Sequence, residues 1–138
     1  MRSPLLIFAA TLALLGSTTT RVQAQRVHEI RLDADPGKEV YRFSPARVTA
    51  RRGDVLLFKA VTGMPHSIVF EAATLSGPAH EALNGAMTRR SGDLSSPLLT
   101  PGEAEYRVIV PALPPGRYEF FCLPHRAYDM RGMLQVEK

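Results

Sequence analysis

The chain has 138 residues, of which 45% are hydrophobic and 22% are charged, and its formal net charge is +4. This length suits one globular domain with one core, and the sequence has no internal repeat or low-complexity tract. Removal of residues 1–24 would take Arg2 and Arg21 from the 17 basic residues, leaving 15 against 13 acidic residues. A net charge of about +2 is too small to predict nucleic acid or an anionic membrane as a partner.

Residues 1–24 have the three parts of an export signal. Arg2 supplies positive charge, residues 5–15 form a continuous apolar run, and residues 22–24 offer a small-residue cleavage site. The run is shorter than the roughly 20 residues that a membrane-spanning helix needs. We therefore expect cleavage before Gln25, no stable membrane insertion afterwards, and a mature domain of residues 25–138 in the periplasm or outside the cell.

The mature chain has the pattern of short strands separated by turns. Apolar and polar side chains alternate in residues 27–32 and 105–110, which is the period of a strand with one buried face. Turn signals such as Gly53-Asp54 and Pro115-Gly116 separate the runs. The predicted strands are residues 27–32, 40–43, 47–50, 55–58, 67–70, 105–110, 117–122 and 133–136. Several short strands with frequent turns predict an all-β antiparallel sandwich or barrel.

Residues 72–103 interrupt this strand pattern. Residues 78–87 suit one short helix, because Pro78 fits a first helical turn and Gly85 weakens the end. Residues 88–103 are rich in Ser, Gly, Pro and Thr and are predicted to be a loop. The helix is expected to decorate the β structure rather than to change its class.

The C-terminal part of the chain contains a cluster of metal-binding residue types. Cys122 is the only cysteine, so an exported chain cannot use it for an internal disulfide. A lone cysteine is commonly an inert buried residue, but His125 and Met130 follow within nine residues. Blue-copper sites use one Cys, two His and a weak axial Met. The second His is predicted to be His66, and the strand period of residues 133–136 assigns the rival Met133 to the core.

The spacing of these residues is specific to one family. The pattern Cys-x-x-His-x-x-x-x-Met-x-Gly runs from Cys122 to Gly132, and the upstream segments contain Phe43-Ser44-Pro45 and Met64-Pro65-His66. Both parts resemble the cupredoxin family of plastocyanin-like and azurin-like proteins. The resemblance implies a Greek-key β-sandwich that carries single electrons and is not an enzyme. It also implies one type 1 copper ion, whose ligands would be His66, Cys122, His125 and Met130.

Two positions depart from the family pattern. Ser67 follows the first histidine, where many relatives carry Asn, and Leu123 follows Cys122, where many carry Ser or Thr. Both changes are expected to remove or shorten hydrogen bonds that orient metal ligands and adjust the potential.

The resemblance also predicts how the protein meets its partners. The edge of His125 is expected at the surface among Met64, Pro65, Pro124 and Ala127, where redox proteins would dock on a monomer in small, short-lived contacts. A copper module for storage, delivery or resistance would use the same ligands and is the alternative function. A hydrolase with Cys122 as nucleophile is disfavoured, since the chain lacks a cysteine-protease signature.

Overall fold

The computed structural model describes residues 24–102 and 105–137. The predicted export signal, residues 1–24, lies outside the described residues except for Ala24. None of the helices in the described part is long and apolar enough to cross a membrane.

Eight strands of the described chain form two four-stranded sheets, in the orders β2-β1-β4-β6 and β3-β8-β7-β5. The strands are β1 Val27–Asp35, β2 Val40–Ser44, β3 Arg47–Ala50, β4 Val55–Ala60, β5 Val69–Phe70, β6 Glu105–Ile109, β7 Gly116–Phe121 and β8 Arg131–Val136. Apolar side chains from both sheets share one core. The predicted all-β sandwich is confirmed.

Two of the neighbouring strand pairs run parallel. β1 lies parallel to β4, with Val27 opposite Val55, and β3 lies parallel to β8, with Arg47 opposite Met133. The other pairs are antiparallel. The parallel pairs arise because β3 belongs to the other sheet, so the chain crosses between sheets before β4 returns beside β1. The sheets are therefore mixed rather than purely antiparallel as predicted, which is consistent with a Greek-key sandwich.

Four phenylalanines join the two sheets beneath the predicted metal site. The ring of Phe120 on β7 meets Phe43 at 4.9 Å, Phe58 at 5.4 Å and Phe70 at 5.8 Å between centroids, all edge to face. Such pairs contribute about 0.5–1.5 kcal/mol each beyond their buried area. Because Phe120 lies two residues before Cys122 in the sequence, this contact gives the ligand-bearing segment a firm base.

One α-helix, α1, spans Gly77–Ala86, so the predicted helix is confirmed to within one residue at each end. The Ser76 side chain caps it by accepting a hydrogen bond from the Ala79 N–H. Leu83 and Ala79 bury one face of the helix against the core. The helix thus covers the sandwich without entering either sheet.

Candidate metal centre

His66 lies just before β5 and is fixed by its main chain and by its ring. Its N–H and C=O pair with the C=O and N–H of Leu99 at 3.0 and 2.7 Å. Its ring Nε2 is hydrogen bonded to the Thr62 carbonyl oxygen at 2.9 Å. This contact directs Nδ1 towards Cys122 Sγ, 3.8 Å away. Leu99 belongs to the segment that the sequence predicted only as loop.

Thr62 links the His66 ring to the first sheet. Thr62 Oγ1 accepts a hydrogen bond from the Ala34 N–H at 3.2 Å and donates one to Asp33 Oδ1 at 3.4 Å. Both partners lie on β1. Nothing in the sequence pattern pairs residues 33 and 62, so sequence reasoning missed this support of a predicted ligand.

Cys122, His125 and Met130 lie on the short loop between β7 and β8, which closes on itself. The Cys122 N–H donates to the Met130 carbonyl at 3.0 Å, and the Met130 N–H donates to the His125 carbonyl at 3.3 Å. The His125 N–H donates to the Cys122 carbonyl at 3.2 Å. These bonds hold the three residues around one point, with His125 Nδ1 3.3 Å from Cys122 Sγ.

Three of the predicted ligands offer donor atoms to the same point. Those of His66, Cys122 and His125 all lie within 4.8 Å of one another, and none of these residues is more than 4% exposed. Two imidazole nitrogens and one sulfur are the trigonal donor set of a type 1 copper site. Met130 is fully buried and its main chain contacts both loop ligands, so it lies beside this set.

Met133, the rival for the axial position, faces away from the metal centre. It lies in β8 opposite Arg47 and Glu119, half-buried on the outer face of the sheet. Its neighbours Gly132 and Leu134 are buried, as is Val136. The prediction that Met133 is a core residue is therefore wrong. The even-numbered residues of β8 face the core, so Met133 falls on the opposite face.

Burial sets the protonation of the three donor groups. It lowers the pKa of His66 and that of His125, and the charge of His66 lowers the pKa of His125 further. Burial raises the pKa of the Cys122 thiol, although N–H groups of Ser67 and His125 oppose this. Burial thus favours the neutral, metal-binding form of both imidazoles, whereas the thiol must lose a proton to bind copper.

Ser67 connects the two ligand segments, contrary to the expected loss of hydrogen bonding at this position. Its N–H points at Cys122 Sγ at 3.4 Å, and its hydroxyl oxygen accepts a hydrogen bond from the Leu123 N–H at 3.0 Å. The short side chain reaches because the two main chains lie close together. Leu123 takes part in this link through its main-chain N–H, and the residue is 57% exposed.

The sequence profile described as "Copper binding proteins, plastocyanin/azurin family" matches residues 28–137. The chain belongs to this family. Cupredoxin membership and copper as the cofactor are thereby confirmed, and the His-Cys-His-Met set fits one type 1 copper ion.

Individual relatives agree with this assignment. Plastocyanin A/B of Petroselinum crispum is 33% identical over 117 residues, which cover 78% of this chain and 98% of that protein. The plastocyanin of Nostoc punctiforme is 27% identical over 110 residues, or 80% of this chain and 73% of its own length. The solved structure of oxidised plastocyanin from Dryopteris crassirhizoma superposes with a TM-score of 0.63 at 27% identity, covering 80% of this chain and all of that one.

Proposed function

We propose that this protein is an exported blue copper protein that carries single electrons between redox partners. The buried cluster of His66, Cys122 and His125, with donor atoms within 4.8 Å, carries the proposal. Met130 is assigned as the weak axial ligand. Copper held by such a set supplies one electron at a time by cycling between Cu(I) and Cu(II).

The way the ligands are held favours an electron carrier over an enzyme. His66 is pinned by hydrogen bonds to Thr62 and Leu99, and the loop that carries Cys122 and His125 is closed by its own main-chain bonds. A site held this firmly allows little rearrangement between oxidation states. Because the Nδ1 atoms of His66 and His125 and the Sγ of Cys122 are buried, a substrate molecule has no direct access to the donor atoms of the site. An electron does not need such access.

The predicted exposure of the His125 ring edge supports electron transfer through this ligand. His125 Nε2 has no hydrogen-bond partner among the described residues. In the same part of the chain, no buried side-chain nitrogen or oxygen lacks a partner. Nε2 is therefore not fully buried, which supports the expected surface edge, although the ring as a whole is buried.

Exposed apolar side chains surround the segments that carry the ligands. Six large hydrophobic residues are exposed in the described chain, and three of them belong to these segments: Met64, Leu123 and Tyr128. A fourth, Leu98, directly precedes Leu99, the loop residue paired with His66. Of the other predicted neighbours, Pro124 and Ala127 are exposed and Pro65 is half-buried. We assign this surface to redox proteins that dock briefly on a monomer. The interfaces of weak electron-transfer complexes are small, so an apolar surface of this kind is sufficient for them.

The ligand assignment is tested by adding Cu(II) to the purified mature chain and recording visible and EPR spectra. The wild type should show an intense blue thiolate-to-copper band with a narrow hyperfine splitting. Cys122→Ser should abolish the band while the copper-free fold survives. His80→Gln is the control and should keep the band, because His80 is hydrogen bonded to Asp93 at an exposed position. A blue Cys122→Ser protein would refute the assignment.

Redox cycling separates the carrier from the alternative of copper storage or delivery. A carrier should pass through repeated reduction and oxidation without losing copper to a chelator in solution. Loss of copper at each reduction would favour delivery instead.

We also propose that residues 1–24 are a cleaved export signal before a domain of residues 25–138. The apolar run and the small residues before Gln25 support this proposal. Intact-mass measurement of the protein from the periplasmic fraction should give a chain that begins at Gln25. A mass that retains residues 1–24 would contradict cleavage.

A further inference from the structure

The two histidines of the metal centre are oriented by different kinds of contact. Nε2 of His66 is hydrogen bonded to the Thr62 carbonyl oxygen at 2.9 Å, which fixes that ring. Nε2 of His125 has no such partner in the described part of the chain. Metal-binding histidines are ordinarily oriented through their second ring nitrogen. The orientation of the His125 ring must therefore come from another contact.

Tyr41 supplies that contact with its ring. Its centroid lies 4.8 Å from that of His125, with 35° between the ring planes. Tyr41 also stacks on Tyr128, with a centroid distance of 4.1 Å and 23° between planes. Tyr41 therefore contacts both the predicted ligand and an aromatic residue that lies three positions further along the same loop.

The Tyr41 ring is anchored in the opposite sheet from the one that carries the loop. Tyr41 lies in β2 opposite Ala34, two residues before Phe43, so its side chain leaves the strand on the same side as that core residue. The ring is half-buried and packs against the core. His125 and Tyr128 belong to the loop between β7 and β8. The stack therefore joins the metal-binding loop to the first sheet.

We propose that Tyr41 is a positioning residue of the copper site. Backed by Tyr128, its ring holds the imidazole of His125 so that Nδ1 faces Cys122 Sγ, 3.3 Å away. As far as it concerns copper, this inference rests on the proposed function. A ligand whose orientation is fixed by packing is held close to one geometry. That packing limits how far the ring turns when the oxidation state changes.

Four variants test the role of the ring. Tyr41→Leu removes the aromatic face and keeps apolar volume, whereas Tyr41→Phe keeps the face and loses only the hydroxyl. Tyr128→Ala removes the outer ring at a site that is 53% exposed. Ile109→Ala, at an exposed apolar residue of β6, is the control for loss of apolar surface elsewhere.

The first readout needs no copper. Proton NMR of the copper-free protein should show nuclear Overhauser contacts between the rings of Tyr41 and His125, and one set of His125 ring resonances. Tyr41→Phe and Ile109→Ala should keep the single set. Tyr41→Leu should lose it, because nothing then favours one orientation of the imidazole. Tyr128→Ala should broaden the resonances to a smaller extent.

The second readout uses the copper-loaded protein. Tyr41→Leu should change the EPR hyperfine splitting, shift the reduction potential and lower the electron self-exchange rate several-fold, while Tyr41→Phe and Ile109→Ala behave as wild type. A Tyr41→Leu protein with unchanged His125 resonances, EPR spectrum and self-exchange rate would overturn the proposal. If Tyr41→Leu does not fold, the His125 resonances and the EPR spectrum of Tyr128→Ala decide instead, and unchanged values of both would overturn the proposal. Its self-exchange rate is left out of that comparison, because Tyr128 also belongs to the proposed docking surface.

The two readouts separate this inference from the proposed function. A wild-type protein without a blue spectrum would refute the proposed function, whereas the copper-free NMR comparison would still decide the role of Tyr41.

Discussion

Ser67 joins the two segments of the chain that carry the predicted ligands. Its hydroxyl oxygen accepts the N–H of Leu123, and its own N–H points at the sulfur of Cys122. The first bond depends on the side chain and the second does not. Substitution of the side chain can therefore separate the stiffness of the ligand loop from the electronic environment of the sulfur.

Ser67→Ala should lower the free energy of unfolding by about 1 kcal/mol, because the part-buried Leu123 N–H loses its partner. The blue spectrum should persist, since the main-chain contact to Cys122 remains. Thermal melts of the copper-loaded protein and the rate of copper loss to a chelator measure the effect. Thr49→Ala, at an exposed position of β3, is the control. A Ser67→Ala protein as stable as the wild type would show that the serine bond contributes nothing.

Met130 and Met133 provide a matched pair for the axial position. Met130 is fully buried and its main chain is bonded to Cys122 and His125, whereas Met133 lies on the outer face of β8. Met130→Leu should raise the reduction potential, because the metal loses a donor that favours Cu(II), while Cys and His ligation stays in place. Voltammetry of both leucine variants measures this. The assignment is wrong if Met133→Leu moves the potential more.

At the scale of single elements, the strands were predictable because the order of apolar and polar residues within a strand shows which of its side chains are buried. The alternation of β6 and the turn around Gly53 place those elements without knowledge of any partner. The pairing of Leu99 with His66 and of Ser95 with Val69 was not predictable. Isolated bridges are set by where the loop meets the sheet, and they leave no periodic signal in the sequence.

The contacts of the candidate site also fall into two groups, those that the sequence predicts and those that it does not. The spacing of Cys122, His125 and Met130 is local, so the sequence predicts that one loop brings them together. The contacts of Tyr41 with His125 and of Thr62 with His66 depend on how the two sheets pack. A tyrosine in a strand pattern is typical of ordinary packing. Only the tertiary structure shows that this ring contacts the imidazole.

Gly132 in β8 shows a packing requirement of a single element. It lies opposite Phe120 in the strand register, and a Cβ at this position would overlap the Phe120 ring. Gly132→Ala should therefore lower the free energy of unfolding by about 1–3 kcal/mol through overpacking. Gly85 in α1 faces open space, and Gly85→Ala should raise the same quantity by roughly 0.5–1 kcal/mol.

Denaturant unfolding of the two copper-free alanine variants measures both changes. The pair is informative because the chemical change is identical and the expected signs are opposite. Destabilisation by both substitutions, or by neither, would contradict the packing argument.

On the scale of the whole molecule, the core and the metal centre contribute to stability in different ways. Core residues from both sheets are buried without any contribution from copper: Ile68, Phe70, Val108, Val110, Phe120, Leu134 and Val136. The ligands, in contrast, come from two segments that are far apart in sequence. Copper would connect them only in the folded state.

The copper-free protein should therefore fold, and copper should stabilise it without changing its topology. A ligand that binds only the native state raises the free energy of unfolding by mass action, by about 4 kcal/mol at a free concentration of roughly 1,000 times the dissociation constant. The gain should appear as a higher melting temperature, because unfolding must release the ion from His66 and from the loop of residues 122–130.

Thermal melts of the copper-free and copper-loaded protein at equal concentration test both parts of this prediction, with Cys122→Ser plus copper as the control. The control should melt at a temperature close to that of the copper-free protein, since loss of the thiolate removes the strongest link between the two segments. An unfolded copper-free chain would contradict a core that is sufficient by itself. Identical melting temperatures for the two wild-type samples would mean that the four residues do not act as one site.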